Sequence, residues 1–271
     1  MKIKLLGTAA YEGIPALFCE CEVCRKSRAL GGRSLRTRTQ ALIDDRLLLD
    51  FPPDTVAHAL TYGIDMSKVK NCLITHSHSD HLYPSDMNML AWGYSHPKED
   101  YCLSVYATEE AGEQVAEIAK NTSKMAFYAI KAFDKWHIDG YDVTALPAVH
   151  SAGPVIYQIE DGKHTLLYAQ DTHYLHDDIW RCFAEEKPHF DLVILDCTNA
   201  MTPLTYVGHM SFAENIAVKK RMCEMGVADD KTVFVSNHFS HNGAFAVYED
   251  FKDIAAKEGF LTSYDGMEIC L

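Results

Sequence analysis

Apolar runs of strand length alternate with stretches of helical periodicity along nearly the whole chain. "IKLLGT" reads as a first strand, and "ALIDDRLLLD" as two strands around a tight Asp44-Asp45 turn. "DTVAHALTYG" predicts a helix with Asp54 as its cap and Gly63 as its stop. "VKNCLITH" is a buried strand, "PSDMNMLAWGY" a helix with proline near its start, "CLSVYAT" a strand and "EEAGEQVAEIAKN" a helix. "YDVTALPAVH", "VIYQIE" and "HTLLYAQD" are strands, the last two joined at Asp161-Gly162. "FDLVILDC" and "TVFVSNH" are strands, "SFAENIAVKKRMCEMG" and "AFAVYEDFKDIAAKEG" are helices, and 172–208 reads as ordinary helix and strand. The recipe is strand-rich, then mixed, and then roughly repeats without repeating in sequence. Two sheets covered by helices satisfy it, an α/β architecture, and the length is enough for one large domain or two small ones.

Composition narrows the class. The 271 residues are 48% apolar, enough for a substantial core, and no window approaches a membrane span of about 18 apolar residues. The start, "MKIKLLGTAAYEG", is too short in apolar residues for a signal-peptide core, so a cytoplasmic protein is expected. Nine cysteines in that compartment are thiols or metal ligands rather than disulfides. Cys72, Cys102, Cys182, Cys197, Cys223 and Cys270 are scattered and read as small buried residues. A formal charge of −13 repels nucleic acid unless a local patch reverses it. One such patch exists: "RKSRALGGRSLRTR", Arg25 to Arg38, holds six basic residues and no acidic one. It reads as a solvated face or as an attractor for an anionic substrate.

Two clusters carry chemistry. "LITHSHSDHLYP" places His76, His78, Asp80 and His81 at the end of a buried strand. Four potential ligands within six residues rarely arise from packing, and imidazole with carboxylate suits zinc, manganese or iron. His76 and His78 can point the same way from an extended segment, with Asp80 and His81 following after a turn. "CECEVC" packs Cys19, Cys21 and Cys24 together, three thiols of a zinc set that needs a fourth ligand. Asp50, ending "RLLLD", is a candidate carboxylate partner for a metal-bound histidine, and His173 a candidate for the surroundings of the site. His58, His96, His137, His164, His176 and His189 sit in ordinary helical, turn or surface contexts.

"HSHSDH" matches the HxHxDH signature of the metallo-β-lactamase superfamily, and the resemblance continues in order along the chain. "LPAVHSAGP" supplies His150, "LLYAQDTHY" supplies Asp171 and "VFVSNHFSH" supplies His238. The resemblance implies a four-layer αβ/βα sandwich with two facing mixed sheets, in a single domain over 1–271. It also implies that His76, His78 and His150 bind one divalent metal, that Asp80, His81 and His238 bind a second, and that Asp171 bridges them. Within that superfamily the chain is similar to the phosphoribosyl 1,2-cyclic phosphate phosphodiesterases of the carbon–phosphorus lyase pathway. These carry an early CxCxxC, a histidine three residues after the last active-site ligand and a terminal DGMEI, matched here by "CECEVC", His241 and Asp265 to Ile269. By this resemblance Cys19, Cys21, Cys24 and His241 form a Cys₃His structural zinc site, and His209 of "YVGHMSF" is the general acid.

The expected activity is therefore metal-dependent hydrolysis of a small cyclic phosphodiester, by a hydroxide shared between two manganese or zinc ions. The substrate would be a phosphoribosyl 1,2-cyclic phosphate or a 2′,3′-cyclic nucleotide. The expected partner is that small anionic substrate, with no long nucleic acid and no membrane, and with a homodimer among the assemblies allowed. The alternatives are an RNA-processing endonuclease of the same superfamily and a non-hydrolytic binding or carrier protein of cofactor biosynthesis. The acidic composition argues against the first, and the full set of seven ligands against the second.

Overall fold

The computed structural model describes residues 1–91, 93–203 and 207–271. The elements run β1 (Lys2–Gly7), α1 (Glu22–Leu30), β2 (Gln40–Ile43), β3 (Leu47–Leu49), α2 (Thr55–Tyr62), β4 (Asn71–Leu73), β5 (Leu103–Thr108), α3 (Glu109–Ala119), β6 (Met125–Ile130) and β7 (Lys135–Ile138). They continue with β8 (Tyr141–Pro147), β9 (Val155–Glu160), β10 (Thr165–Ala169), α4 (Asp177–Glu186), β11 (Leu192–Asp196), α5 (Phe212–Glu224), β12 (Val233–Asn237), α6 (Tyr248–Lys257), β13 (Phe260–Thr262) and β14 (Met267–Cys270). One sheet has the order β14-β1-β2-β3-β4-β5-β6 and the other β13-β12-β11-β10-β9-β8-β7. In each, antiparallel pairs give way to parallel ones: β3, β4, β5 and β6 run parallel in the first, and β10, β11, β12 and β13 in the second. The repeated recipe of the sequence is thus a repeated topology.

Local chemistry explains the elements. Asp44 and Asp45 both adopt positive φ (48° and 57°), the geometry of the tight turn that joins β2 to β3. The Thr108 side chain caps α3, and Ser211 with Glu214 forms a capping box on α5. β11 is buried at every position, as its unbroken apolar run requires of a strand covered on both faces. Ile3, Leu5, Leu49, Tyr157, Tyr168 and Ile194 fill the space between the sheets. Phe183, Phe212, Val218 and Phe251 pack α4, α5 and α6 on the outer face of the second sheet. Val105, Val115 and Met87 cover the first. The result is the expected helix–sheet–sheet–helix layering.

Several expectations need correction. Asp54 makes no capping bond to α2; its carboxylate pairs with Arg38 at 3.2 Å instead. "PSDMNMLAWGY" forms a 3-10 helix over Pro84–Leu90 rather than an α-helix, and its Trp92 lies outside the described residues. The 172–208 stretch contains α4 and β11 as expected, while 204–206 lie outside the described residues. Of the scattered cysteines, Cys72 and Cys197 are buried, Cys102 and Cys182 half-buried, and Cys223 and Cys270 exposed.

The basic segment is not a free cationic face. Arg25 bonds the Glu20 carbonyl, Lys26 pairs with Asp250 and Arg28 with Glu20, and Arg33 bonds Tyr248. Arg36 is buried at 3% exposure behind the β12 loop, its guanidinium carbon 4.3 Å from the Phe239 ring centroid. Burial lowers its pKa to about 10, against the pull of Asp265. Arg36 Nη1 donates to Thr8 Oγ1 at 2.8 Å, and that hydroxyl donates to Asp265 Oδ1 at 2.6 Å. Asp265, the first residue of "DGMEI", therefore balances a buried cation. Asp265→Asn is expected to cost about 2–3 kcal/mol in urea unfolding, because it leaves Arg36 buried without counter-charge. Adding Arg36→Met should recover part of that loss; a double variant no more stable than Asp265→Asn would break the link.

Candidate metal centre

The carboxyl ends of β3, β4, β8, β10, β11 and β12 meet at one edge of the two sheets. There the chain leaves β4 into the loop of His76, His78, Asp80 and His81, and leaves β8 into His150. β10 runs into Asp171, β11 ends on Asp196, and β12 runs into His238. The loops are pinned across the seam: the Thr75 carbonyl accepts Val155 N–H at 2.9 Å, and Tyr157 Oη donates to the Ile74 carbonyl at 2.6 Å.

Three four-donor sets share one carboxylate: two hold the residues named as ligands, and the third is Asp171, Asp196, His209 and His238. His76, His78, His150 and Asp171 bring their ligand atoms within 4.8 Å of one another, and so do Asp80, His81, Asp171 and His238. All seven residues named from the sequence are gathered. Asp171 Oδ2 lies 3.0 Å from His76 Nε2 and 3.2 Å from His81 Nε2, and Oδ1 lies 2.9 Å from His238 Nε2. His81 Nε2 faces His238 Nε2 at 3.1 Å, and His150 Nε2 faces His78 Nδ1 at 3.1 Å. Ring nitrogens aimed at each other cannot both be satisfied without a cation or proton between them. His76 Nε2 and Asp171 Oδ1 are buried and, despite those short contacts, make no well-aligned hydrogen bond. This donor set fits divalent metal.

The electrostatics agree. Burial opposes charge on Asp171, but His238 and His81 outweigh it and hold its pKa well below the usual carboxylate range. Asp80 is likewise drawn down to about 2 by His81 and His238 despite its burial. Burial also disfavours a charged His238, yet Asp171 pushes its pKa up to about 10, while burial takes His150 down to about 4. The carboxylates create a field that demands positive charge at the centre, and a divalent ion answers it without protonating the ligands.

Carboxylates behind the ligands orient them. Asp50 Oδ1 accepts Thr75 N–H at 2.8 Å and Thr75 Oγ1 at 2.9 Å, and Oδ2 takes His81 Nδ1 at 2.7 Å, turning His81 Nε2 inward. Asp196 does the same from the other sheet. Its Oδ1 accepts Thr198 N–H and Oγ1, each at 2.8 Å, and its Oδ2 takes His209 Nδ1 at 2.8 Å. Thr198 Oγ1 also lies 2.8 Å from His238 Nδ1. His150 Nδ1 donates to the Gly208 carbonyl at 3.0 Å, and His173 Nδ1 to the His209 carbonyl at 2.9 Å. His173 thus supports the His209 loop and is not a ligand. Asp196, Thr198 and Glu12 were missed in the sequence. Asp196 was findable, since it closes "FDLVILDC" as Asp50 closes "RLLLD".

The second cluster also assembles. Cys19, Cys21, Cys24 and His241 place their ligand atoms within 4.8 Å of one another. His241 Nδ1 lies 3.5 Å from Cys19 Sγ and 3.4 Å from Cys21 Sγ. Burial, reinforced by the neighbouring thiols, pushes the Cys24 pKa to about 12, so only a bound cation would make it a thiolate near neutral pH. Cys21 is also the N-cap of α1, accepting Cys24 N–H.

Beside the main cluster lies a cleft of about 430 Å³, walled by Tyr11, Glu12, Ser79, Thr198, His209 and Asn242 together with ligands of both sets. The other histidines are ordinary: His58, for one, is buried between Gln40 and Thr37, with burial taking its pKa down to about 4.

A family model described as a beta-lactamase superfamily domain matches residues 45–232. That span holds the ligands from His76 to Asp171, together with Asp196 and His209. The cysteine cluster, His238 and His241 lie outside it. An octanoyltransferase from Porphyromonas gingivalis is 33% identical over 122 residues, 43% of this chain and 22% of that protein, so the chain spans about a fifth of that relative's length. Among solved structures, zinc-bound PqqB from Methylobacterium extorquens is similar at TM-score 0.73 and 16% identity over 100% of both chains. A diphosphatase of the PhnP family is similar at TM-score 0.74 and 19% identity, over 100% of this chain and 97% of the other. The short form of human tRNase Z is similar at TM-score 0.69 and 14% identity, over 100% and 99%. At these identities the likeness is one of fold.

Asp50→Asn keeps an acceptor for Thr75 but presents an amide to His81 Nδ1, which favours the tautomer whose proton occupies the ligating nitrogen. Chelator competition should show metal affinity of the histidine–aspartate cluster reduced about 10–100-fold. Cys21→Ser and His241→Ala should each release the same single ion and lower the melting temperature, leaving the ions of the larger cluster in place. Elemental analysis showing a full metal complement in both would exclude His241 as the fourth ligand.

Proposed function

The chain belongs to the β-lactamase superfamily of metal-dependent hydrolases, and from that premise we propose that it hydrolyses a small cyclic phosphodiester. The observation that carries the reading is the Asp196–His209 pair set against the double ligand cluster. His76, His78, His150 and Asp171 would hold one divalent ion, manganese or zinc, and Asp80, His81, His238 and Asp171 a second. The cysteine cluster with His241 would hold a structural zinc. Metals in such a site supply a nucleophile at neutral pH and neutralise the charge that grows on a phosphoryl oxygen.

The chain's own residues do the rest. A diester with an alkoxide leaving group needs a proton, and His209 lines the cleft with Nδ1 tied to Asp196. Burial alone would strip its proton, but Asp196 and Asp171 raise its pKa above the ordinary histidine value, which suits an acid. Asp196 is the positioning residue: it sets the tautomer and the ring plane. Thr198 ties this pair to His238, and the Gly208 carbonyl ties the His209 loop to His150, so the acid and the ligands share one hydrogen-bond network.

A small substrate suits the cleft volume, and the engaged basic segment provides no track for long nucleic acid. The octanoyl transfer named for the Porphyromonas protein finds no cysteine or lysine nucleophile among the described cleft residues. Nine cysteines without a disulfide support a cytoplasmic setting, and no helix among the described residues is long and apolar enough to cross a membrane.

A turnover screen of the manganese-loaded protein tests the reading. Cyclic and nitrophenyl diesters should be cleaved and β-lactams should not; lactam turnover without diester turnover would overturn it. His209→Ala should lose about 10²–10⁴-fold on alkoxide leaving groups and far less on nitrophenolate, with metal content unchanged. Asp196→Asn should show the same split at smaller size. Equal losses on both substrate types would remove His209 from the acid role.

A further inference from the structure

The cleft offers ligands for one phosphate and nothing for a second. Its described lining contains no lysine and no arginine. Arg38 donates through Nε to the carbonyl of the lining residue Tyr11 at 2.8 Å, but its guanidinium pairs with Asp54 at 3.2 Å. The lining instead includes an acid, Glu12. Glu12 Oε1 accepts Ser240 Oγ and, at 3.5 Å, Asn242 Nδ2, and it lies 3.6 Å from His241 Nε2. These bonds fix the carboxylate in place. Oε2 accepts no hydrogen bond from the described residues, and the side chain is 24% exposed.

A fixed carboxylate on the cleft wall selects by charge. It accepts a hydrogen bond from a substrate hydroxyl, and it repels an anion. A like charge about 5 Å away in a partly hydrated cleft weakens binding by roughly fivefold to more than a hundredfold. A quaternary cation would want open aromatic faces. The aromatic side chain in the described lining, Tyr11, already has the Arg38 guanidinium 5.8 Å from its ring centroid. Ser79, Ser240 and Asn242 add neutral hydrogen-bonding groups around the same space. The chemistry matched by this wall is a hydroxyl-bearing, uncharged remainder.

Resting on the phosphodiesterase reading above, we propose that Glu12 is a specificity-determining residue that takes a hydroxyl of the non-reacting part of the substrate. The substrate class is then a cyclic phosphodiester without a second phosphate. A 2′,3′-cyclic nucleotide with a free 5′-hydroxyl belongs to it, and a phosphoribosyl 1,2-cyclic phosphate does not.

The test is a matched pair, a 2′,3′-cyclic nucleotide with a 5′-hydroxyl and the same compound with a 5′-phosphate. kcat/KM is measured on the manganese-loaded wild type and on Glu12→Gln, with metal content checked in both. The wild type should prefer the hydroxyl form by about tenfold or more, and Glu12→Gln should narrow that ratio to within about threefold. The glutamine keeps an oxygen for Ser240 and Asn242, and because Glu12 Oε1 also lies 3.6 Å from His241 Nε2, the two ratios are compared only on protein with the full metal complement. A wild-type ratio near one, a preference for the 5′-phosphate, or an unchanged ratio in Glu12→Gln would each overturn the role of Glu12 while leaving the phosphodiesterase standing. Cleavage of a nitrophenyl diester with neither cyclic compound turned over would remove the cyclic-substrate reading itself, and the role of Glu12 with it.

Discussion

The negative charge of Asp171 organises the molecule's working edge. His76, His81, His150, His209 and His238 each place a ring nitrogen within 3.6 Å of its oxygens. His76 and His81 come from a loop of the first sheet, while His150, His209 and His238 come from the second. A carboxylate at 2% exposure, far from bulk water, would be too costly to keep ionised without that ring of imidazoles. The imidazoles in turn converge only because the sheets hold their strand ends in register across the seam. Sheet packing and site electrostatics are therefore one constraint.

The two sheets answer that constraint with the same device. Asp50 at the end of β3 and Asp196 after the last apolar residue of β11 each bind a threonine through its N–H and hydroxyl, and a histidine through Nδ1. On the first sheet the histidine so held is a candidate ligand, His81. On the second it is the candidate acid, His209. The motif does not follow the repeat, since β3 opens the parallel run of its sheet and β11 is the second strand of the other, yet the same set of bonds serves two uses. The Thr198 hydroxyl, shared with His238, joins the uses together.

Much of this was legible in the chain. Strands ending in histidine or aspartate advertised the edge, and six residues of "HSHSDH" were dense enough to be read as ligands. What stayed hidden has identifiable physical causes. Asp50, Asp171 and His238 were legible as site residues but their backbone was not: they sit at φ of 65°, 46° and 63°, a region usually signalled by glycine, and no glycine marks it here. β6, β7 and β13 were not singled out because β6 and β7 are edge strands without a clean alternation of burial and β13 is only three residues long. Asp54 was read as a local cap, but the tertiary pairing with Arg38 won. Six positive charges looked like a surface until the fold supplied a partner for each. Glu12 carries no local signal at all, because its neighbours Ser240 and Asn242 are brought to it from the far end of the chain.

That distance has a consequence in time. Cys21 and His241 are separated by 220 positions. During synthesis at roughly 5–20 residues per second, about 10–45 seconds pass between the emergence of the three thiols and the arrival of the imidazole that completes their set. Through that interval the first segment of the chain is chemically unfinished, open to oxidants and to any stray soft cation. The cluster is a late seam, closed only once β12 has been laid into its sheet. A nascent chain stalled before that point would carry its thiols exposed, marking it as incomplete.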